Sequence, residues 1–481
     1  MIGEALRGPS GGSLVVEPNG KIEEDAQTHR CLRDFLLTLF RLLDEFGVRY
    51  CVLHSWDTLP NELPNDLDLA ILAEDKSKLL PVFDGLRSKG YFPIQALNHS
   101  VNGNFFAFFW TEASGAKTAA VDIVSEHRRG GMVLANDAEM LANRQRHGVF
   151  WTASPHVEFA YLLAKKAFKQ KASDKQLRRL KFLADQLGST EANRLASKFL
   201  TADTSKQAVQ SCIDGSTREF LKDSRAKLWR ASLTRRPDKS IPYFATEAWR
   251  LIRRWFQPTG IIVAIMGPDG VGKSTVIAGL VKTMDMAFWR RHRLFHWRPY
   301  VLAPQPDRGP VLDPHGQSVR GSLVSMLYLS GFFLDYYVGY LLVIRRLLAK
   351  SNLVIFDRYF HDVLVDPQRY RYGAPKWFAE MLSRLVPQPD LVILLDADTG
   401  LILGRKSELP REEIERQRLA YRELQFSGAK TAFLKTNGDV DKSVSVAAAS
   451  VAEYMKRRFD DRFDGWLSSA QLQAEAPELR S

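Results

Sequence analysis

The sequence predicts an α/β protein with a C-terminal doubly wound parallel sheet, preceded by a mixed α/β unit and a helical connector. At 481 residues, the chain is longer than one typical hydrophobic core requires. From residue 259 onward, short apolar runs typical of buried strands alternate with helical patterns. Between residues 28 and 150, helix and strand patterns form a mixed series. These observations predict at least two domains of different architecture.

The stretch GPDGVGKST, residues 267–275, lies between the apolar run IIVAIM and a helical pattern. It completes the strand–GxxxxGK[ST]–helix pattern of a P-loop, and its flanks favour this interpretation over an ordinary glycine-rich turn. Glycines let backbone N–H groups surround phosphate oxygens. We expect Lys273 to contact the β- and γ-phosphates of ATP, and the Ser274 hydroxyl to bind Mg²⁺. The predicted nucleotide-binding residues are Gly267, Gly270, Gly272, Lys273, Ser274 and Thr275.

Charged residues end two of the predicted C-terminal strands. NLVIFDRY delivers Asp357 and Arg358, and LVILLD delivers Asp396. Ligands of doubly wound sheets bind at the carboxyl ends of the strands, where a carboxylate beside a P-loop typically holds Mg²⁺. Arg358 offers a bidentate contact to a second phosphate. A structural Asp–Arg pair is the alternative, and the neighbouring P-loop favours the functional one.

A charged helical stretch, GRKSELPREEIERQRLAYREL, follows the last of these strands. Arginines that approach on closure can neutralise the charge that phosphoryl transfer develops. Arg405 and Lys406 directly follow a turn and helix at the site, and Arg411 comes shortly after them. Other charges of this stretch are expected to form a solvated helix face.

Together, GPDGVGKST, VIFDRY and PDLVILLD with the charged stretch resemble the thymidylate kinase family over residues 259–457. The resemblance implies a P-loop kinase that uses ATP and Mg²⁺. It implies that Asp269 faces the sugar of the acceptor, that Arg358 holds the acceptor phosphate, and that Asp357 serves the metal. It also implies that the charged stretch after LVILLD is a lid over the site, and that its catalytic cations are Arg405, Lys406 or Arg411. Because Gly270 stands where one branch of the family has an arginine, the lid must supply this charge.

Two departures from the family pattern concern the acceptor. FHWRPY replaces an REPGG-like loop and leaves Arg298 as its equivalent, and Tyr336 stands where the family has a thymine-reading arginine. An unpaired buried polar group is penalised heavily, so such a contact decides specificity. The chain is also similar to thymidylate kinase-like proteins of bacterial surface-polysaccharide loci. We therefore expect the acceptor to be a nucleotide or a sugar-phosphate-type molecule.

The N-terminal stretch LHSWDTLPNELPNDLDLAI carries Asp66 and Asp68 on one strand face, and AAVDIV carries Asp122 on a later strand. Three carboxylates can hold two Mg²⁺ ions for nucleotidyl transfer. This arrangement resembles the nucleotidyltransferase fold, although His54-Ser55 replaces the usual Gly-Ser of the turn. The departure leaves both an active enzyme and a degenerate binding module open.

Composition bounds the remaining possibilities. The net charge is +12 and the pI about 9.5, which favours anionic partners, although no nucleic acid is expected. Three separated cysteines suggest a reducing compartment, and we therefore expect a cytoplasmic protein. We also allow for a homodimer.

The apolar stretch 322–344 contains Asp335 and is interpreted as a buried kinase helix. Residues 217–258 alternate basic and aromatic side chains. Packing between domains, which would bury the tryptophans, is favoured over weak binding to an anionic membrane.

The predicted organisation is a flexible tail (1–27), a nucleotidyltransferase-like domain (28–150), a basic helical connector (151–258), a thymidylate kinase-like P-loop domain (259–460) and a second tail (461–481). A kinase is the favoured function. The alternatives are a nucleotidyltransferase with a regulatory P-loop domain, and a non-catalytic, nucleotide-gated scaffold.

Overall fold

The structure is a computed structural model that describes residues 31–63, 65–100, 102–129, 132–235, 237–302, 315–406 and 409–475. The predicted tail at 1–27 lies outside the described residues. The chain divides into two compact units. One contains residues 31–108, 119–252 and 459–475, and the other contains residues 109–118 and 253–458. Each unit is described by itself.

The N-terminal unit is built on a mixed sheet of seven strands in the order β3-β4-β5-β2-β1-β9-β8, although residues 109–118, at the end of β4 and the start of β5, are assigned to the other unit. Strands β6 and β7 form a separate hairpin. Strand β2 is buried along its whole length, as its apolar sequence predicts, and pairs in parallel with β5. The strands are β1 (Tyr50–Val52), β2 (Leu67–Ile71), β3 (Phe92–Ser100), β4 (Gly103–Glu112), β5 (Gly115–Val124), β6 (Glu126–Arg129), β7 (Met132–Asn136), β8 (Gln145–His147) and β9 (Phe150–Thr152).

Eight helices are described before the second sheet: α1 (Leu32–Glu45), α2 (Leu79–Ser88), α3 (Asp137–Leu141), α4 (Pro155–Lys169), α5 (Asp174–Ala196), α6 (Ala202–Asp214), α7 (Thr217–Arg235) and α8 (Pro237–Phe256). Helices α4 to α7 share a buried core that includes Phe159, Leu183, Val209 and Leu228. Much of the predicted connector is therefore a packed helical layer. The expectation that its tryptophans are buried is wrong for Trp249, which is 68% exposed on α8.

The C-terminal unit contains five parallel strands in the order β11-β12-β10-β13-β14. They are β10 (Ile261–Met266), β11 (His292–His296), β12 (Leu353–Asp357), β13 (Leu391–Asp396) and β14 (Lys430–Lys435). The strand order reverses on either side of β10, which places the end of this strand at the switch point of the sheet. The predicted doubly wound parallel sheet is confirmed.

Helices cover this sheet: α9 (Lys273–Met284), α10 (Ser322–Gly339), α11 (Arg345–Ala349), α12 (Asp362–Val365), α13 (Lys376–Leu385), α14 (Thr399–Arg405), α15 (Arg411–Glu423) and α16 (Val440–Glu475). A π-helical turn, Tyr340–Ile344, joins α10 to α11. The last helix continues to Glu475, so the predicted tail at 461–481 begins as helix; residues 476–481 lie outside the described residues.

Helix α10 buries one face and exposes the other. Asp335 and Tyr336 are buried, as the kinase-helix interpretation requires, whereas Leu327 is 73% exposed and Leu323 and Leu341 are also exposed. Among the described residues, one helical segment, Ser322–Ala349, has the length and the apolar composition of a membrane span. Of its most apolar stretch, 28% is buried. Core helices of soluble proteins can have the same length and composition, so these two properties alone do not assign the segment to a membrane.

Candidate active site

The P-loop surrounds the start of α9 at the carboxyl edge of the parallel sheet. Gly270 and Gly272 have φ angles of 82° and 102°, which residues with side chains rarely adopt. Lys273 Nζ lies 2.9 Å from the carbonyl oxygen of Gly267, so the ammonium is folded against the loop. Burial, followed by the charge of Arg358, lowers the pKa of Lys273 to about 8. The loop therefore holds a desolvated cation where phosphate is expected.

Three cationic side chains converge on the carboxylate of Asp269. Arg369 Nη1 lies 2.6 Å from Asp269 Oδ2. Lys273 Nζ lies 3.3 Å from Oδ1, and Arg358 Nη2 donates to the same oxygen. Burial opposes ionisation of Asp269, but the three cations outweigh it and hold the pKa of this carboxyl below its usual range. Sequence reasoning missed Arg369, because it lies in a loop after α12 that has no recognisable motif.

Arg358 is held from behind by a buried hydrogen-bonded network. Its backbone has a φ of 72°, and its Nη1 lies 2.6 Å from Asp362 Oδ2. Asp362 also accepts hydrogen bonds from the hydroxyls of Tyr370 and Tyr421. One edge of the guanidinium is thereby fixed, and the Nη2 group on the other edge faces the P-loop carboxylate.

Asp357 ends β12 beside the P-loop strand, as predicted. Its Oδ1 atom is buried and has no hydrogen-bond partner among the described residues, and its Oδ2 lies 3.4 Å from His296 Nδ1. Burial works against ionisation, but the hydrogen bond from His296 and the charge of Lys273 lower the pKa of Asp357. Ser274 is exposed at the start of α9. An unsatisfied carboxylate oxygen and a hydroxyl of the P-loop are a donor set that fits Mg²⁺.

Two of the predicted lid cations lie against the P-loop. A Cβ added to Gly272 would lie 3.9 Å from Arg405 Nη1, and one added to Gly270 would lie 3.2 Å from Lys406 Cβ. Lys406 and Asp269 also line one small cavity. These two lid residues are therefore brought to the nucleotide loop by the end of α14.

The third predicted lid cation, Arg411, is not brought to the site. Its side chain is 63% exposed and its Nε lies 3.2 Å from Glu415 on the same helix. Instead, α15 directs Arg418 toward Asp396 at the end of β13, with an Nε–Oδ1 distance of 2.6 Å, and Arg422 pairs with the same carboxylate. Asp396 is thus neutralised by α15, and Arg411 forms part of the solvated face.

The loop after β11 is fixed by a carboxylate from α10. Asp335 accepts from Arg298 Nη1 at 3.1 Å and from the backbone N–H of Tyr300 at 3.0 Å. Tyr336 donates its hydroxyl hydrogen to the carbonyl of Trp297. The indole Nε1 of Trp297 is buried and has no partner among the described residues. Arg298 is therefore committed to Asp335, while Trp297 retains an unused donor.

The N-terminal unit brings Asp66, Asp68 and Asp122 together as the sequence predicts. Each offers an oxygen, and these oxygens lie within 4.8 Å of one another because β2 and β5 are parallel neighbours with Asp68 opposite Asp122. Burial, and then the charge of Asp68, raises the pKa of Asp66. Asp122 Oδ1 lies 2.6 Å from His99 Nε2. Ser55, which with His54 replaces the usual Gly-Ser of the turn, has a φ of 57°.

The geometry of the C-terminal unit defines a P-loop kinase, a class of phosphotransferase. Part of the chain is similar to thymidylate kinases. A thymidylate kinase of Xanthomonas euvesicatoria pv. vesicatoria is 28% identical over 213 residues, which cover 42% of this chain and 88% of that protein. A thymidylate kinase of Xanthomonas oryzae pv. oryzae is 28% identical over 236 residues, 47% of this chain and 96% of the relative. The chain therefore contains a thymidylate kinase-like domain.

A solved thymidylate kinase of Ehrlichia chaffeensis is 18% identical with a TM-score of 0.29, covering 40% of this chain and 98% of its own. The solved thymidylate kinase of Candida albicans is 17% identical, also with a TM-score of 0.29, and covers 40% of this chain and 91% of its own. No protein-family model matches the chain.

Proposed function

We propose that the P-loop unit transfers the γ-phosphate of ATP to a phosphate-bearing acceptor. The observation that carries this proposal is the convergence of Lys273, Arg358 and Arg369 on one carboxylate. Phosphoryl transfer to a phosphate requires cations for the donor and for the acceptor. Lys273 belongs to the donor loop, whereas the two arginines come from the end of β12 and the segment after α12. These arginines would hold the acceptor phosphate next to the transferred group.

The same site would hold ATP with Mg²⁺. The P-loop N–H groups and Lys273 would bind the phosphates of ATP, and Asp357 and Ser274 would hold the metal. Bound Mg²⁺ would neutralise charge on the phosphate oxygens during transfer. Arg405 and Lys406, which lie against the loop, would stabilise the charge that develops on the transferred phosphoryl group.

The proposed acceptor is a nucleotide or a sugar-linked phosphate, and we extend the proposal to surface-polysaccharide synthesis. Two contacts support an acceptor other than thymidylate: Tyr336 is occupied with the carbonyl of Trp297, and Arg298 is bound to Asp335. Tyr336 is not an arginine, and the guanidinium of Arg298 is already paired, so neither side chain takes the place of the arginine that reads a thymine base.

Product analysis with γ-labelled ATP tests this function. The panel would contain nucleoside monophosphates, including thymidylate, and sugar phosphates, each with its dephosphorylated counterpart. We expect label in one phosphate-bearing acceptor and none in its counterpart, because the two arginines require an anion. Label released only as inorganic phosphate would contradict acceptor transfer.

A second candidate function belongs to the N-terminal unit. The oxygens of Asp66, Asp68 and Asp122 lie within 4.8 Å of one another, which supports metal-dependent nucleotidyl transfer. In such a reaction, an acceptor oxygen forms a bond to the α-phosphorus of a nucleoside triphosphate and pyrophosphate leaves. Incubation of the full chain with α-labelled triphosphates tests it: labelled product that is lost on Asp66→Asn supports transfer. If no such product appears, the N-terminal unit is a binding module. The hypothesis of a nucleotidyltransferase regulated by the P-loop domain is then contradicted.

We also propose that the protein is cytoplasmic, that it forms a homodimer and that it binds weakly to anionic membranes. The three cysteines are free, which suits a reducing compartment. Exposed apolar side chains on α10 and α13, such as Leu327 and Trp377, suit the interface between two copies. Molar mass measured by light scattering, with Leu327→Arg compared with wild type, tests the dimer: an unchanged monomer mass in both would contradict it.

A further inference from the structure

Lysines from α4 and α5 surround a cavity beside the three N-terminal carboxylates. The cavity has a volume of about 290 Å³. Asp66 and Asp68 line one part of it, and the residues that supply its positive charge are Lys165, Lys166, Lys169 and Lys175. A cavity that combines carboxylates with several ammonium groups suits a ligand with both a metal cation and a chain of anionic groups.

Lys165 occupies the space around Asp68 that a metal ion would need. Its Nζ lies 2.6 Å from Asp68 Oδ1 and 3.1 Å from His54 Nε2. The other oxygen, Oδ2, lies 2.9 Å from His54 Nε2, and the Tyr161 hydroxyl donates to Oδ1 at 3.1 Å. Both oxygens of Asp68 are therefore engaged by buried side chains. Neither Asp66 nor Asp122 has a lysine or arginine partner of this kind among the described residues.

Lys166 is a buried cation for which the described part of the chain offers no ion-pair partner. The residue is 6% exposed, and its side chain lines the same cavity and makes no hydrogen bond or ion pair among the described residues. Burial, followed by the neighbouring charges of Lys165 and Lys169, lowers its pKa to about 8. A buried charge is costly unless it is paired, so this position favours an anionic ligand.

We propose that the N-terminal site holds one divalent cation on Asp66 and Asp122, with the ammonium of Lys165 standing in place of a second cation. The anionic chain of a polyphosphate ligand then bridges that cation and Lys166. This inference rests on the metal-dependent function proposed above for the N-terminal unit. The proposed site differs from a two-metal site, because the ammonium of Lys165, a part of the protein, replaces the second metal ion.

The number of bound Mn²⁺ ions tests the role of Lys165. Free Mn²⁺ would be measured by electron paramagnetic resonance during titration of the full chain without nucleotide, with Asp357→Asn in every variant to silence the P-loop unit. We expect one ion in this background, two in Lys165→Met, and none in Asp66→Asn plus Asp122→Asn. Lys181→Met, at an exposed position on α5 outside this cavity, is the control and should bind one ion.

Each failure has a separate meaning. Two ions in the background chain, or one in a folded Lys165→Met variant, would overturn the role of Lys165. No ion in the background chain would overturn the metal site and, with it, the second candidate function. Circular dichroism would establish folding, and Lys165→Gln would replace Lys165→Met if the latter does not fold.

Inorganic tripolyphosphate tests the role of Lys166 by a separate measurement. Its affinity would be measured by calorimetry with Mn²⁺ present, in chains that carry Lys273→Ala and Asp357→Asn. We expect Lys166→Met to weaken binding at least tenfold, since a charge-assisted contact is lost, and Mn²⁺ stoichiometry to stay at one. Equal affinity with and without Lys166→Met would overturn the assignment of the anion to this lysine.

Discussion

Arg298 and Asp335 form a buried ion pair in which Arg298 Nη1 lies 3.1 Å from Asp335 Oδ2. The same carboxylate accepts the backbone N–H groups of Tyr300, Val301 and Leu302. A charge in the middle of an apolar helix thus organises the loop that follows β11. This explains why the long apolar helix α10 contains an aspartate.

Asp335→Ala is expected to release this loop. The change leaves Arg298 buried without its partner, which costs about 3–5 kcal/mol. The backbone amides of Tyr300, Val301 and Leu302 should lose protection against hydrogen exchange, as measured by mass spectrometry. Leu334→Ala, at the exposed neighbouring position, is the control and should leave the segment protected. Full protection in Asp335→Ala would show that the carboxylate does not hold the loop.

Arg369→Ala should weaken binding of the acceptor more than binding of ATP. Arg369 contacts Asp269 and belongs to the acceptor side of the proposed site. Loss of a charged hydrogen bond of about 1.5–3 kcal/mol predicts an increase of roughly ten- to a hundredfold in the KM for the acceptor. Arg384→Ala, at an exposed position on α13, should change neither KM. An Arg369→Ala enzyme with unchanged acceptor KM would remove this residue from the site.

Thymidylate should be a poor acceptor. Tyr336 is buried and hydrogen-bonded to the carbonyl of Trp297, at the position where the family resemblance places a base-reading arginine. We expect a kcat/KM for thymidylate below about 10⁴ M⁻¹s⁻¹, the lower end for ordinary enzymes. Steady-state kinetics with each acceptor of the panel would measure it. A value typical of metabolic kinases would show that another residue reads the thymine.

Sequence patterns predicted the C-terminal sheet and the P-loop well, for physical reasons. The run Ile261–Met266 is buried along its length, and Gly267, Gly270 and Gly272 of GPDGVGKST adopt the positive φ angles that residues with side chains rarely reach. The strand-end residues Asp357 and Arg358 follow from the parallel topology. The proximity of Asp68 and Asp122 follows similarly from the pairing of β2 with β5.

Other features depended on tertiary contacts that no local pattern records. Arg369 reaches the P-loop from an irregular segment, and Arg411 and Arg418 occupy one charged helix but face different surroundings. Lys165 is separated from Asp68 by most of the N-terminal unit, so its pairing with that carboxylate is invisible to spacing. Burial of Trp249 was expected because the connector was predicted to pack between domains, and its exposure shows that an aromatic side chain does not by itself predict packing.

Helix α8 allows a test of the proposed membrane association. Trp249, Ile252 and Phe256 are exposed, and Arg253 lies among them. Each basic residue near an anionic surface contributes about 1 kcal/mol, and salt screens this attraction. Flotation with anionic liposomes should therefore occur at low salt, weaken at high salt, and decrease on Arg253→Glu. No flotation of the wild-type chain at low salt would contradict membrane association.

The most direct test of the kinase assignment is transfer of label from γ-labelled ATP to the phosphate-bearing acceptor by the wild-type chain and by Lys273→Ala. Lys273 lies in the P-loop and contacts the loop carbonyls and Asp269, so its loss should remove phosphate binding and leave the sheet intact. Lys282→Ala, at an exposed position on the same helix, is the control. We predict full transfer by wild type and Lys282→Ala and no detectable transfer by a folded Lys273→Ala. Undiminished transfer by Lys273→Ala would contradict the assignment of phosphoryl transfer to this site.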